Sequence, residues 1–193
     1  MSRPIEFERP QAVNRGLQLF WRKGYQATSL TDLLETMDIG RSSFYAAFTD
    51  KRFFFIECLD LFADRTLQLL LAARSEMPPV DALENFFQRN FLGMNDIGVK
   101  KNWGCMLVNT VLELAGVDDE LSERASHHLH KMELVFKNLF EEAGALALQA
   151  QELAALLMLF NQGLRVSSRR RLPDQQHLQN IDTTFRLIRS ALA

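Results

Sequence analysis

The sequence predicts an all-α protein of about nine helices, with an N-terminal three-helix head followed by a C-terminal helical bundle. Three observations lead there. Apolar residues recur at steps of three and four along most of the chain, strand-like alternation has no useful length, and 193 residues hold only nine Gly and five Pro. Few breakers leave room for long helices. With 47% hydrophobic and 24% charged residues, the chain is too apolar for disorder and long enough for one or two small domains.

Val13, Leu17 and Phe20 mark the first helix, Gln11 to Lys23, and Gly24 follows as a stop able to take the left-handed conformation. Ser29 can cap the second helix. Asp32 completes a variant capping box there, and Leu30, Leu33, Leu34 and Met37 form the buried stripe. Asp38, Ile39 and Gly40 permit only a tight turn before a third short helix holding Phe44, Ala47 and Phe48, and this pair of helices is a helix-turn-helix. Thr49 and Asp50 can cap the fourth helix, whose stripe of Phe54, Cys58, Leu61, Phe62, Leu69 and Leu70 runs to about Arg74. That rod is roughly 36 Å long and is broken by Pro78 and Pro79. Further helices are expected near 80–94, 102–116, 119–143, 150–169 and 175–192. Their separators are Gly93 to Lys101, Gly116 with Val117, Gly144, and Arg171-Leu172-Pro173.

A net charge of −2 with pI near 6.1 gives no sign of a polybasic nucleic-acid binder. Cys58 and Cys105 lack CxxC spacing and fit a reducing compartment. Met1 to Pro10 has no apolar core of a signal peptide, and the longest apolar runs fall short of the roughly 18 residues that span a bilayer. A cytoplasmic protein without membrane contact is expected.

In a helix-turn-helix the second helix enters the major groove. Phe44 and Phe48 face inward with Ala47, which leaves Arg41, Ser42 and Tyr45 outward and Ser43 beside them. Arg41 can donate two bonds to guanine, and the hydroxyls suit phosphate or adaptable base contacts. Lys51 is placed as a phosphate clamp, with Ser29 and Thr31 gripping the backbone from the preceding helix. From spacing alone, a plain bundle corner competes with this reading.

Residue identity adds more. Leu19-Phe20-Trp21-Arg22-Lys23-Gly24-Tyr25-Gln26-Ala27-Thr28-Ser29-Leu30, then Asp32-Leu33-Leu34, Ile39-Gly40-Arg41-Ser42-Ser43-Phe44-Tyr45, and Phe48 with Lys51, closely resemble the DNA-binding domain of TetR-family bacterial transcriptional regulators over about residues 11 to 57. The resemblance implies that Arg41, Ser42, Ser43 and Tyr45 face the operator and that Ser29 and Lys51 contact phosphates. Two positions depart from the family pattern, since Asp38 and Thr49 stand where Gly is frequent. The resemblance also implies a 1–57 helix-turn-helix DNA-binding domain and a 58–193 effector-binding and dimerisation domain. Residues 1–57 hold eight basic and seven acidic side chains, net +1, which leaves −3 for the remainder.

Leu153, Leu156, Leu157, Phe160 and Leu164, then Leu178, Ile181, Phe185, Ile188 and Leu192, are helical stripes, and Leu187 with Ala191 widens the last one. By resemblance, this pair of helices forms a four-helix homodimer interface that presents two heads to a palindromic double-stranded DNA operator. The middle helices would supply the pocket for a small-molecule effector. Cys105, Asn109 and Glu113 share one face, and Phe87, Phe91, Met94, Trp103, His128, Met158 and Asn161 could complete the walls, though each also suits plain core. Gly104-Cys105 resembles a TetR subgroup that senses electrophiles or oxidants through a thiol, which gives an alternative function for Cys105.

His127 and His130 have metal-ligand spacing, but further ligands are not evident, so no metal and no cofactor is expected. Arg169, Arg170 and Arg171 suit the negative end of their helix. The expected function is a ligand-responsive dimeric repressor, not an enzyme. An all-helical enzyme using Cys105 and a His lacks an oriented nucleophile and a phosphate-cradling loop. A helical interaction module without DNA remains the other alternative.

Overall fold

Pro10 stands in the first turn of the first helix, where its missing N–H needs no partner, and the described residues form nine helices. The computed structural model describes residues 7–92, 103–168 and 173–193, and every regular element among them is helical. In order they are α1 (Arg9–Lys23), α2 (Leu30–Met37), α3 (Arg41–Phe48), α4 (Lys51–Glu76), α5 (Pro79–Leu92), α6 (Met106–Leu114), α7 (Asp119–Glu142), α8 (Ala147–Ser167) and α9 (Asp174–Leu192). No helix among the described residues is long and apolar enough to cross a membrane. Met94, the rest of the Gly93–Lys101 separator, the Phe91 side chain, and Arg169, Arg170, Arg171 and Leu172 lie outside the described residues.

The expected caps form in part. Ser29 and Asp32 make a complete capping box, and Asp50 accepts a hydrogen bond from Phe53 N at 2.8 Å. Thr49 does not cap α4. It sits at φ 65°, ψ −66°, and Asp50 N donates to Phe48 O at 2.7 Å across it, which closes a γ-turn around a β-branched residue. Asp38 takes the left-handed region at φ 58°, ψ 50°, where a short polar side chain is tolerated. Gly24 has φ 88° but ψ 172°, outside the left-handed helical region and open essentially to glycine alone.

Two helix starts differ from expectation. α6 begins at Met106 instead of 102 because Cys105 is extended, and its carbonyl opens the ladder by accepting from Asn109 N. α8 begins at Ala147, three residues early, after an extended Leu146. The expected break at residue 57 falls inside α4, which passes from the head into the bundle as one helix.

Buried side chains form two clusters. The first unites α1 to the middle of α4 with Cys105, Met106, Leu107, Val108 and Leu114 of α6 and with Leu121 and Ala125 of α7. Its centre is Phe20, Phe44, Phe48, Phe54 and Phe55, with Phe48 and Phe54 rings 4.5 Å apart. Each such ring contributes about 1.5 to 3 kcal/mol by burial. A Cβ at Gly16 would clash with the Phe54 ring, so that glycine sets the approach of α1 to α4. The second cluster joins α4, α5, α7, α8 and α9 around Phe87, Phe136, Phe140 and Phe185. The short helix α6 therefore shares its core with the head.

Positive φ at Thr49 stores about 1 to 3 kcal/mol of strain, more than the roughly 0.5 to 1 kcal/mol that glycine loses in added chain entropy. Thr49→Gly is expected to raise stability by about 1 kcal/mol. Urea unfolding of the two proteins checks this, and equal midpoints would mean the turn is unstrained.

Candidate nucleic-acid interface

The inner face of α3 is fixed by Phe44 and Phe48, both buried. Helical geometry then sends Arg41, Ser42 and Tyr45 outward into solvent, with Tyr45 47% exposed and Ser43 half-buried at the edge. Ala46 shares the outward face, and its methyl is the group that meets a thymine methyl in a major groove. Among the described residues no ion pair engages Arg41, so its guanidinium is presented free.

Ser29 and Lys51 are placed differently from a simple pair of phosphate contacts. The Ser29 hydroxyl accepts from Asp32 N at 3.1 Å and donates to Asp32 Oδ2 at 2.7 Å, and Lys23 Nζ donates to the same oxygen at 2.7 Å. The hydrogen bond from Lys23, followed by those from Ser29, holds the Asp32 carboxyl well below the usual carboxylate range. Thr31 is exposed at the start of α2.

Lys51 Nζ donates to Tyr25 O at 2.9 Å and to Thr28 O at 2.7 Å, and lies 4.3 Å from the centre of the Tyr25 ring. Two of its three donors thus serve the protein. Burial lowers its pKa, opposed by the Glu113 and Asp32 carboxylates. The half-buried ammonium is a clamp on the α1–α2 loop, a role that sequence reasoning missed.

Glu113, in the last turn of α6, was expected in an effector pocket with Cys105 and Asn109. Its carboxylate accepts from Tyr25 N at 3.0 Å and Gln26 N at 2.7 Å, and with Asn109 and Leu112 it lines a cavity of about 300 Å³ against Trp21 to Gly24. A Cβ on Gly24 would stand 2.7 Å from Glu113 Oε2, so glycine there serves the contact as well as the backbone angle. Thr28 Oγ1 donates to Gly24 O at 2.6 Å and closes the loop on itself. Arg52 adds a second tie by pairing with Asp118 at 3.0 Å and Glu120 at 2.9 Å before and within the first turn of α7.

The remaining pocket candidates divide. Asn109 Nδ2 donates to Trp103 O at 2.8 Å, which secures the approach to α6. His128 Nε2 lies 2.7 Å from Asp60 Oδ1 on α4, in a cluster with Arg124. Burial raises the Asp60 pKa, but the Arg124 and His128 hydrogen bonds win and hold it low. Phe87 is core, with its ring 5.8 Å from that of Phe160. Trp103 stacks edge-on to Trp21 at 5.8 Å, and Cys105 is buried as the residue before α6. Met158 lines a cavity of about 290 Å³ with Val108, Val111, Leu112, Leu129 and Gln162, and Asn161 is buried one turn away. No group of three His, Cys, Asp or Glu that could hold a metal occurs among the described residues.

Residues 13–58 match the family model described as bacterial regulatory proteins, tetR family. Over those residues the chain is similar to the DNA-binding domain of that family. It is 26% identical to the HTH-type transcriptional repressor ComR of Escherichia coli, over 96% of this chain and 91% of that protein. It is 30% identical to the HTH-type transcriptional repressor DhaR of a Mycobacterium species, over 58% of this chain and 54% of that one. Among solved structures, a cysteine mutant of the TetR family transcriptional regulator CifR, complexed with 26-bp double-strand operator DNA, superposes with a TM-score of 0.83 at 23% identity. The match covers 95% of this chain and 98% of CifR, and at that identity it speaks for the fold.

The outward face of α3 was legible from helical period alone, whereas the Glu113 and Lys51 ties were not. The one sequence signal for Glu113 was a carboxylate at the end of an apolar helix, where the dipole disfavours it unless N–H donors meet it.

Lys51→Ala should lower stability by about 1 to 2 kcal/mol without any DNA, because two carbonyls lose a charged donor. A lysine serving only phosphates would leave the unfolding midpoint unchanged. Glu113→Ala should speed amide exchange at Tyr25 and Gln26 more than at Leu33, as hydrogen-exchange spectra would show. Uniform change across α2 would mean general destabilisation instead.

Proposed function

We propose that the chain is a cytoplasmic, dimeric repressor that binds a palindromic operator and is released by a small-molecule effector. Residues 1–57 act as the reader and 58–193 as the sensor and dimer interface. The observation that carries the reading is the unpaired Arg41 with Ser42 and Tyr45 on the outward face of α3, above a core that fixes the helix. Arg41 reads guanine, Ser42, Ser43 and Tyr45 contact bases or phosphates, and Ser29, Thr31 and the third donor of Lys51 meet the backbone. The ComR and DhaR names support repression.

Dimerisation is supported by α8, where Leu148, Leu156, Leu159 and Val166 form an exposed stripe at helical spacing, with Leu156 63% exposed. Leu187 on α9 is 65% exposed beside it. Two such pairs of helices packed about a two-fold axis would bury both stripes and set two recognition helices about 34 Å apart. Effector binding beside α6 would move Glu113, and with it the loop that orients α2 and α3. A differential of about 1 to 3 kcal/mol between the two arrangements is enough for control. Neither a cofactor nor enzymatic turnover is required.

Thiol sensing is a second reading, in which Cys105, the residue before α6, is the sensor. Release from DNA by an oxidant, abolished in Cys105→Ser, would support it.

Footprinting of the full chain on the DNA upstream of its own reading frame tests the main reading, with a protected palindrome as the expected outcome. Arg41→Ala should reduce discrimination at one base pair per half-site by roughly 5- to 150-fold, equivalent to about 1 to 3 kcal/mol. Leu156→Asp should yield monomers in sedimentation and weaken operator binding more than tenfold. Monomeric wild-type protein, or retention without sequence preference, would refute the proposal.

A further inference from the structure

A carboxylate half-buried against an apolar wall loses part of its hydration, and a cation or N–H donors must replace it. Asp60, Glu84 and Asp118 each have an arginine from elsewhere in the chain. Glu133 of α7 does not. It is half-buried, and no ion pair or hydrogen bond engages it among the described residues. Lys137 stands four residues from both Glu133 and Glu141, within reach of either on one helix face, and its Nζ goes to Glu141 at 2.8 Å.

Glu133 lines the cavity of about 290 Å³ between α6, α7 and α8. With Ser126 and His130 it forms one stripe of α7, at positions 0, 4 and 7, and Gln162 of α8 is the fourth polar group there. The remaining walls, Val108, Val111 and Leu112 of α6 with Leu129 and Met158, are apolar. No lysine or arginine and no second carboxylate lines the cavity among the described residues, so an anion would face Glu133 with nothing to hold it. A ligand with an apolar body and one positive end meets every wall. A primary ammonium brings three N–H donors, and the Glu133 carboxylate, the Gln162 amide oxygen and the Ser126 hydroxyl can accept them. A quaternary ammonium has no N–H and is held by the faces of aromatic rings, none of which lines the cavity among the described residues. The volume is at the small end of the roughly 300 to 1,000 Å³ of ligand clefts, so the body is small.

Leu112 also lines the cavity of about 300 Å³ that faces Trp21 to Gly24 of the head. A ligand packed on Leu112 thus touches the neighbour of Glu113, whose carboxylate holds the α1–α2 loop.

We infer that the effector is a small apolar primary amine, its ammonium paired with Glu133 and its hydrocarbon body against Met158 and α6. This rests on the effector-responsive reading above and adds the ligand's chemical class.

The test uses the full chain with butylamine, hexylamine, cyclohexylamine and benzylamine at constant ionic strength near pH 7, where alkylamines carry their proton, each beside the corresponding alcohol. At least one amine should raise the thermal midpoint by several degrees and weaken operator retention roughly tenfold, within the usual range of allosteric coupling, and its alcohol should do neither. Glu133→Gln keeps the shape of the wall and removes its charge, so it should unfold no lower than wild type without ligand and should lose the amine response. Glu133→Asp should keep part of the response, and Glu123→Gln, on an exposed position of the same helix, all of it. Alcohols acting as well as amines, no response to any amine, a response retained in Glu133→Gln, or a raised midpoint without operator release would each overturn the inference. Release by a neutral or anionic compound in place of the amines would overturn the amine and keep the effector reading, whereas loss of sequence-selective operator binding by the ligand-free wild type would overturn both.

Discussion

The four residues from Tyr25 to Thr28 are held from both sides by charge. Their carbonyls accept from Lys51 at the start of α4, and their amides donate to Glu113 at the end of α6. Charge-assisted hydrogen bonds contribute about 1.5 to 3 kcal/mol each, and four of them on one short loop add to the packing of the Tyr25 ring on Phe20 and Phe55. The loop delivers the chain into Ser29, whose capping box starts α2, and α2 with its left-handed Asp38 turn aims α3. The orientation of the outward face carrying Arg41 thus follows from two side chains that never leave the protein.

Glu113 brings the bundle into that arrangement. α6 is nine residues long, about 13 Å from end to end. Its Val108 and Val111 wall the cavity, its Leu107 and Leu114 lie in the head's core, and its last turn carries the carboxylate. A rigid helix that short transmits a displacement with little loss, because close-packed neighbours repack in discrete steps and do not deform smoothly. Arg52 and the Asp60 cluster hold α7 to α4 beside it. The bond energies at Glu113 are of the same order as the roughly 1 to 3 kcal/mol that allosteric coupling requires.

Much of the fold was legible because helical period and capping chemistry are local. Phe44 and Phe48 fixed the direction of Arg41, and Ser29 with Asp32 announced the second helix. What escaped were contacts between residues far apart in sequence. Glu113 meets Tyr25 across 88 positions, and of the stripe Cys105, Asn109 and Glu113 the last two line a cavity of about 300 Å³ whose far side is Trp21 to Gly24 of the head. His128 shares its face with buried Leu121, Ala125 and Met132 as the period requires, yet Asp60 takes its ring nitrogen. Thr49 was read as a cap because threonine often is one, and only the backbone shows the γ-turn that Asp50 closes instead.

Charge in the head has a sharper meaning once its cations are followed to their partners. Arg9 pairs with Glu57, Lys23 with Asp32, Arg52 with Asp118 and Glu120, and Lys51 holds carbonyls. Among the described residues of the head, Arg15, Arg22 and Arg41 are the cations without an internal partner. Counterion release scales with the phosphates a protein neutralises, and a reader with so few free cations gains little from a diffuse field. Sequence-independent affinity would then be low, and the energy of binding would concentrate in placed contacts that two linked heads make together. Such a reader gains much from correct half-site spacing and loses much when the spacing shifts. A modest movement of α6 could therefore act as a switch.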